Sequence, residues 1–589
     1  MFGNAEEIVK RAERHRSQMW KDFERIRPGL VEIARHFYPQ GVRPLVEDVR
    51  SLSEPEQSER DDLNRTTGVP RDAFRICVNG FYVHLTGPNT RWFKLGNPTF
   101  GRSDEKRDDY YGSAYEELTD ATDWLMKWCG AYKPIHVVYR HLTAFGFAAF
   151  LTQRDEERYV RCETLRVGTY AFGVDRKGRV DRLVRRFAMT AEMMVDEFGA
   201  ENVAENVVEL AKAGGTNAKF EVWCLIEPHV RREWETETPY SLSYDKFVYR
   251  SVYWTNGARS KNFGLLAVRG HEVKPFVCPR INHEDGEIYG RGMCADALGM
   301  ARMLQTMRED CLDIDDQNAH PAMMAPESMS DRGLSLDPLS VNWYPDGAGD
   351  KAVYRAIRDG LDTEGVRYDA EIAEREIRKA LLNSEFETIN TMEDAASQRG
   401  DMTATEVHAR VGEKMEQLSG IATTLNEEWL DPLVTTMCRW VQLASVHAEE
   451  NGGLPEIVAL PDEFAGGDEA FDIKYESKIH AAANATAVNA GFDSLSRAGS
   501  MAETSPEIMD NFDLDAAARE THRLLGAPEK WLRTAEERDA LREKREAKQS
   551  EAQDLQRQSV QAKALRDVAS APIDPSTLGG AIAAAGMEA

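Results

Sequence analysis

Nowhere does the chain approach the ~18 consecutive apolar residues that a membrane-spanning helix needs. The opening MFGNAEEIVKRAERHRS lacks the apolar core of a secretory signal. Cysteine is sparse: Cys77, Cys129, Cys162, Cys224, Cys278, Cys294, Cys311 and Cys438 are scattered, and no two form a CxxC pair. That spacing excludes a zinc ribbon or a disulfide framework and fits buried free thiols made in a reducing cytoplasm. There is no GxxxxGK[ST] loop, hence no P-loop motor, and no HExxH, GxSxG or EF-hand loop. GRGMCADALG has no βαβ spacing around it and is not a dinucleotide fingerprint. Positive charge is in short supply. With 73 Lys and Arg against 100 Asp and Glu the net charge is -27, which argues against a tight grip on nucleic acid, because Lys and Arg supply that affinity. Many acidic soluble proteins share that balance. At 589 residues the chain exceeds one ordinary core, so several subdomains are expected.

The most organised stretch runs from Tyr289 to Pro326. After a Tyr289-Gly290-Arg291-Gly292 turn, Met293, Ala297, Met300, Leu304, Met307, Cys311 and Ile314 follow at alternating spacings of four and three. That spacing predicts one helical stripe, with Asp296, Arg302 and Glu309 off it. A helix of about 25 residues is about 37 Å long at ~1.5 Å per residue. Glu309, Asp310, Asp313, Asp315 and Asp316 crowd its C-terminal end, where the helix dipole favours cations. His320-Pro321 stops the helix, and AMMAP reads as a short extended segment. On pattern alone this is equally an ordinary core helix. The acids lack the turn glycine and downstream Glu of a calcium loop; they read as a solvated or channel-lining surface.

Elsewhere, residues 5–38 predict two helices separated near Arg27-Pro28. Pro70 opens a helix striped by Phe74, Cys77, Val78, Phe81 and Leu85, and Arg91-Trp92-Phe93-Lys94-Leu95 follows. Residues 105–150 read as helical, with Trp124, Leu125 and Trp128 on one face. His136 and His141, five apart, do not share a face and are not read as metal ligands. Phe145-Gly146-Phe147 leads into strands and a hairpin turning at Asp175-Arg176-Lys177-Gly178. FEVWCLIE, FVYRSVYW, FGLLAV and VKPFVCP make residues 219–281 β-rich. Residues 366–390 predict a helix with Ile372, Ile377, Leu381 and Phe386 on an imperfect stripe. Thr403 with Glu406 forms a capping box opening a long stripe from Val407 to Trp429, after which Asp431-Pro432 predicts a fresh helix. Short strands are expected in 455–475 and Ala-rich helices in 478–525. Residues 527–567 read as a charged helix with little stripe, and the last residues as disordered. The fold class is α+β, mainly α.

Several of these motifs together carry a resemblance. The YGRG turn, its Met/Leu-rich helix and the Pro-flanked strand resemble the second stem helix of phage portal proteins, in the head-to-tail connector family of short-tailed phages. So do the helix followed by Trp92-Phe93-x-Leu95 and the Phe-Gly pair before a hairpin with an Asp-x-x-Gly turn. Arg185-Arg186 with the Met189-Thr190 helix start, Met402-Thr403-Ala404-Thr405-Glu406-Val407 and Leu430-Asp431-Pro432-Leu433-Val434 extend it over roughly residues 5–470. The resemblance implies a portal-type subunit: an N-terminal wing (1–189), a first stem helix (190–218), a β-rich clip (219–288) and a second stem helix (289–318). A wing strand with tunnel loop and helix (319–400), crown-side helices (401–525) and a charged C-terminal helix with flexible tail (526–589) would follow.

It further implies a homo-oligomeric ring, a dodecamer in related portals, at one capsid vertex of the virion and made in the host bacterial cytoplasm. Double-stranded DNA would pass through it. The terminase large subunit, major capsid and scaffolding proteins, and tail or adaptor proteins would be partners, with no membrane insertion, cofactor, metal or catalytic residue. Channel-lining candidates are Arg302, Glu309, Asp313 and Asp316. Tunnel-loop candidates are Asp346, Gly347, Gly349 and Asp350, and clip-tip candidates Arg232, Glu233, Trp234 and Tyr240. Trp92, Phe93, Tyr289, Gly290, Arg291, Thr403 and Glu406 carry the family motifs structurally. Net acidity suits a conduit, which must not bind what it passes. Two rivals stand beside this reading: a metal-dependent nuclease built on Asp310–Asp316, which would need carboxylates converging with a basic surface, and another structural virion protein of tail or scaffold type.

Overall fold

The computed structural model describes residues 3–52, 66–96, 105–214, 218–230, 242–244, 246–256, 261–320, 323–326, 335, 337, 339–344, 354–355, 364–386, 420–446, 472–476, 491–501, 506–524, 533 and 535–570. The chain divides into two compact units, one of residues 1–98 and 114–511, the other of 99–113 and 512–589. The second unit therefore takes in more than the 526–589 segment expected from sequence.

In the first unit, α1 (Gly3–Phe37) is a single 35-residue helix running through Pro28, where sequence predicts two. A proline inside a helix costs about 3 kcal/mol. Against that stand Val9, Met19, Phe23, Leu30, Ile33 and Phe37, all buried along one face and each contributing about 1.5–3 kcal/mol. Continuity wins. A short turn leads to α2 (Val42–Val46), and α3 (Val69–Thr86) buries the expected Phe74, Cys77, Val78, Phe81 and Leu85. Trp92 and Phe93 are buried at the head of β1 (Phe93–Gly96). In α4 (Glu105–Trp128), Leu125 is buried, whereas Trp124 is exposed and stacks on Trp128 at 5.4 Å. Neighbours in a helix diverge by about 100°, so Trp124 and Leu125 do not share a face. α5 (Tyr132–Phe145) ends at Gly146.

Two sheets follow. β2 (Phe150–Asp155) lies between β3 (Tyr159–Thr164) and a later short strand. The larger sheet is an antiparallel meander of β4 (Tyr170–Val174), β5 (Val180–Thr190), β6 (Lys219–Pro228), β7 (Tyr249–Trp254) and β8 (Leu265–His271) in that order. Residues 219–271 thus do not stand apart as a clip of their own: β6 pairs along β5 from Leu183↔Ile226 to Thr190↔Lys219. The reason is in the strand. Val222 to Glu227 is an unbroken buried run, which suits a central position rather than a one-sided edge. The later strand, β9 (Phe276–Val277), returns to β2.

Residues 190–212, expected as one stem helix, form two: α6 (Ala191–Phe198) and α7 (Glu205–Lys212). Thr190 caps α6, its Oγ1 accepting the Met193 N–H at 3.3 Å. Gly199, at φ +80°, ψ 146°, ends it in a conformation a helix cannot contain. After α8 (Met293–Ala319), β10 (Met323–Pro326) pairs parallel with β11 (Val341–Tyr344) and antiparallel with β12 (Tyr354–Arg355). α9 (Glu364–Ala380) buries Ala370, Ala373 and Ile377, while Ile372 faces out.

Helical residues 420–425 run through a π-turn (Asn426–Leu430) into α10 (Asp431–Val446). α10 does begin at the predicted Asp431-Pro432, though it continues directly from the π-turn with no break before it. Pro432 has no N–H to give, and the wider turn, with the Asp431 N–H on the Asn426 carbonyl, carries the chain past that gap. β13 (Asp472–Tyr475) pairs antiparallel with β1. In the second unit, α11 (Leu514–Leu524) offers Asp515 to both Nη atoms of Arg542, at 2.6 and 2.7 Å, on α12 (Ala535–Ser570). The long helix predicted from residue 401 is described only from residue 420, and the C-terminal tail from residue 571 lies outside the described residues.

Candidate functional site

The YGRG turn is where the core is tied together. Gly146, at φ +82°, leaves no room for a side chain: a Cβ there would meet the Arg291 backbone at 2.3 Å. Reciprocally, a Cβ on Gly290 would meet the Ile281 and Gly146 carbonyl oxygens at 2.2 and 2.4 Å, and one on Gly292 the Ala144 oxygen at 2.4 Å. Two chain segments far apart in sequence therefore cross backbone against backbone, which only glycine permits. Hydrogen bonds fix the crossing: the Ile281 N–H donates to the Gly146 carbonyl at 2.9 Å and the Arg291 N–H to the Ile281 carbonyl at 3.0 Å. Tyr289 fills the space beneath, its ring 4.6 Å from Phe172, 4.8 Å from Phe147 and 6.0 Å from Phe23 of α1.

Arg280 ties a second knot beside it. Buried, it donates to the Gly178 carbonyl at 2.9 Å, to the Ile288 carbonyl at 3.5 Å and to both carboxylate oxygens of Glu428 at 3.1 and 3.4 Å. The Asp175–Gly178 turn it grips is itself rigid, because the Asp175 carboxylate accepts the Lys177 and Arg179 N–H groups at 2.7 and 2.9 Å. Those bonds hold the Asp175 carboxyl below its usual pKa. Glu428 sits in the π-turn. One guanidinium thus joins the β4–β5 hairpin, the approach to α8 and the helix carrying Trp429, whose ring packs 5.4 Å from Phe150.

From this anchorage α8 runs for 27 residues, about 40 Å at ~1.5 Å per residue. Its buried side is Met293, Ala297, Ala301, Leu304 and Cys311. Met300, expected on that stripe, is exposed, and Ala301 takes its place; alanine permits closer packing there. α9 packs on α8, and two ion pairs fix their sense: Arg308 with Glu374 at 2.6 Å and Arg367 with Asp315 at 2.7 Å. Their order along the two helices makes the pair antiparallel. Asp315, one of the acids that oppose the dipole, is thereby partnered.

Arg302, Glu309, Asp313 and Asp316 share one face of α8 by helical spacing. All four are exposed, though not alike. Arg302 is paired with Glu32 of α1. Glu309 accepts from Gln305 Nε2 at 2.5 Å. Asp313 and Asp316 make no side-chain ion pair among the described residues. Trp92, Phe93, Tyr289, Gly290 and Arg291 all serve the core or the crossing. Thr403, Glu406, Asp346, Gly347, Gly349, Asp350, Arg232, Glu233, Trp234 and Tyr240 lie outside the described residues. Arg280 and Glu428, central here, are absent from the sequence reading; the one signal was an arginine closing the apolar run VKPFVCP.

Taken together, these residues define a scaffold: interlocked turns and a buried guanidinium holding one long helix with an acidic exposed face. The chain belongs to the family of bacteriophage head to tail connecting proteins, which matches it over residues 9–532. It is 26% identical over 522 residues to the "Probable portal protein" of Bordetella phage BPP-1, covering 89% of this chain and 88% of that one. It is also 26% identical over 534 residues to the "Portal protein" of Salmonella phage epsilon15, with the same coverage, 89% and 88%. The family is one of structural virion proteins, placed where head meets tail.

Proposed function

We propose that the chain is the portal subunit of a short-tailed phage, a ring-forming conduit for double-stranded DNA during packaging and ejection. The family match over residues 9–532 carries this reading. The ring, a dodecamer, sits at one capsid vertex among the major capsid and scaffolding proteins. It receives the terminase large subunit while DNA enters and tail or adaptor proteins afterwards, with Arg232, Glu233, Trp234 and Tyr240 at the docking tip. Asp346, Gly347, Gly349 and Asp350 belong to a loop that narrows the channel. α8 supplies the wall. Asp313 and Asp316, repeated by symmetry, make rings of carboxylate that repel phosphate over about a Debye length, ~8 Å at physiological ionic strength. The duplex stays centred without being captured. The protein needs no catalytic residue or metal for this; the motor is a separate chain.

Electron micrographs of the purified protein test the proposal. Holed rings are expected at physiological salt, and DNA incubated with them and magnesium should stay intact. A monodisperse monomer at micromolar concentration, or a rod, contradicts the ring. Magnesium-dependent cleavage that is lost in Asp313→Asn would favour the nuclease.

A further inference from the structure

α8 is apolar on two sides. Beyond its buried stripe, Met300 and Met303 are each 39% exposed, and Met307 and Ile314, half-buried, continue the same helical face. Asp296 and Asp310 flank that stripe and make no ion pair among the described residues. α9 has its own uncovered line: Tyr368, 61% exposed, and Ile372, 37%, followed on the same face by Arg375 and Lys379, which likewise make no ion pair among the described residues. Leu312 of α8, 55% exposed, stands level with Tyr368 and Ile372 by the register that the Arg308–Glu374 and Arg367–Asp315 pairs impose. One patch is thus methionine-rich with acids beside it; the other is aromatic and aliphatic, with Arg375 and Lys379 towards one end and Glu371, Glu309 and Asp316 along its edge.

Handedness places the patches. α9 lies on the side of α8 marked by Arg308 and Asp315, and the helices are antiparallel. Following the right-handed turn of each from that seam, the Met300–Met303–Met307–Ile314 stripe comes out on one side of the helix pair. Leu312, Tyr368 and Ile372 come out on the other. Closed rings need two such different, complementary surfaces on every subunit, one donor and one acceptor. We infer that the methionine stripe of α8 docks on the Leu312–Tyr368–Ile372 patch of a second copy of this chain, with Asp296 and Asp310 facing the neighbour's Arg375 and Lys379. The inference rests on the ring-forming reading above and specifies its interface. Methionine suits this use because its unbranched, polarizable side chain adapts to a curved neighbour. Asp316, one helical turn beyond Leu312, borders the docked patch, and Asp313 lies further round the same side of α8.

The test is a double variant, Met307→Cys with Ile372→Cys in one chain, treated as assembled protein with a short bismaleimide. Denaturing electrophoresis should show a ladder of covalent dimers, trimers and higher multiples. The wild type and each single variant should stay at the monomer position, since a donor surface never meets its own copy. Met303→Asp should lower assembly at least tenfold at fixed concentration while the melting temperature of the unassembled subunit holds. Rings that form but give no ladder specific to the double variant overturn this interface and leave the portal reading standing. Dimers from a single variant overturn it too, as an isologous contact. Monomers of wild-type protein that never assemble overturn the portal reading itself.

Discussion

Arg280 ties three segments with one side chain: the β4–β5 hairpin, the approach to α8 and the π-turn. Replacing it by methionine keeps bulk but removes the donor from Gly178, Ile288 and Glu428 together. Unpaired buried acceptors cost about 1–3 kcal/mol each, and Glu428 keeps some access to water, so a loss of about 3 kcal/mol is expected in urea unfolding. Arg280→Met with Glu428→Gln should recover about 1 kcal/mol, the signature of a coupled pair. Two deeply buried histidines contribute to the acid response. Burial lowers the pKa of His141 to about 3 and that of His271 to about 4. Both fold neutral while the unfolded chain binds protons below its ordinary value, about 6.5. Their contribution is therefore full above pH 6.5 and is lost as pH falls from there towards 4 and then 3. Each group contributes a slope of about 1.4 kcal/mol per pH unit within its window. Melting temperature should fall steeply between pH 6.5 and 4, and less steeply in His141→Gln. The sequence marked His141 only as a residue that is not a ligand, and Arg280 not at all. A buried charge is invisible when its partners, Gly178 and Glu428, lie far along the chain.

At the scale of elements, periodicity carried well and breaks did not. The stripe of α3 was legible because that helix is buried on one face throughout. α8 was legible in extent but not in facing: its seven-residue apolar stripe straddles two surfaces, and only packing tells that Ala301 goes in and Met300 stays out. Proline misled once: at Pro28 burial on both flanks holds one helix, whereas at Pro432 the predicted helix starts, joined to the π-turn that absorbs the missing donor. Gly199 did break a helix, since its backbone conformation lies outside the helical region. The β1–β13 pair, joining residues near 93 to residues near 475, has no local signal either. Its tie to α10 is the Tyr475 hydroxyl donating to the Asp431 carboxylate, where burial raises the Asp431 pKa. Tyr475→Phe should lose about 1–2 kcal/mol. Hydrogen exchange should quicken in β1 and β13 while the five-stranded sheet stays protected.

For the whole molecule, the net charge of -27 and the exposed acids of α8 suit the proposed channel wall, along which DNA would move without being held. The family was readable because its motifs sit where backbones cross or helices start, positions that tolerate few residues; Gly146, Gly290 and Gly292 are the clearest. Which face meets DNA was not readable, since it depends on neighbouring copies. The most direct measurement is the rate of DNA passage in packaging-competent particles built with Asp313→Lys and Asp316→Lys together. Assembly should be normal, passage slower at low salt, and the defect should fade as salt rises, because counterion release drives phosphate binding. Normal assembly with an unchanged rate at every salt concentration would contradict the claim that this face of α8 lines the DNA channel.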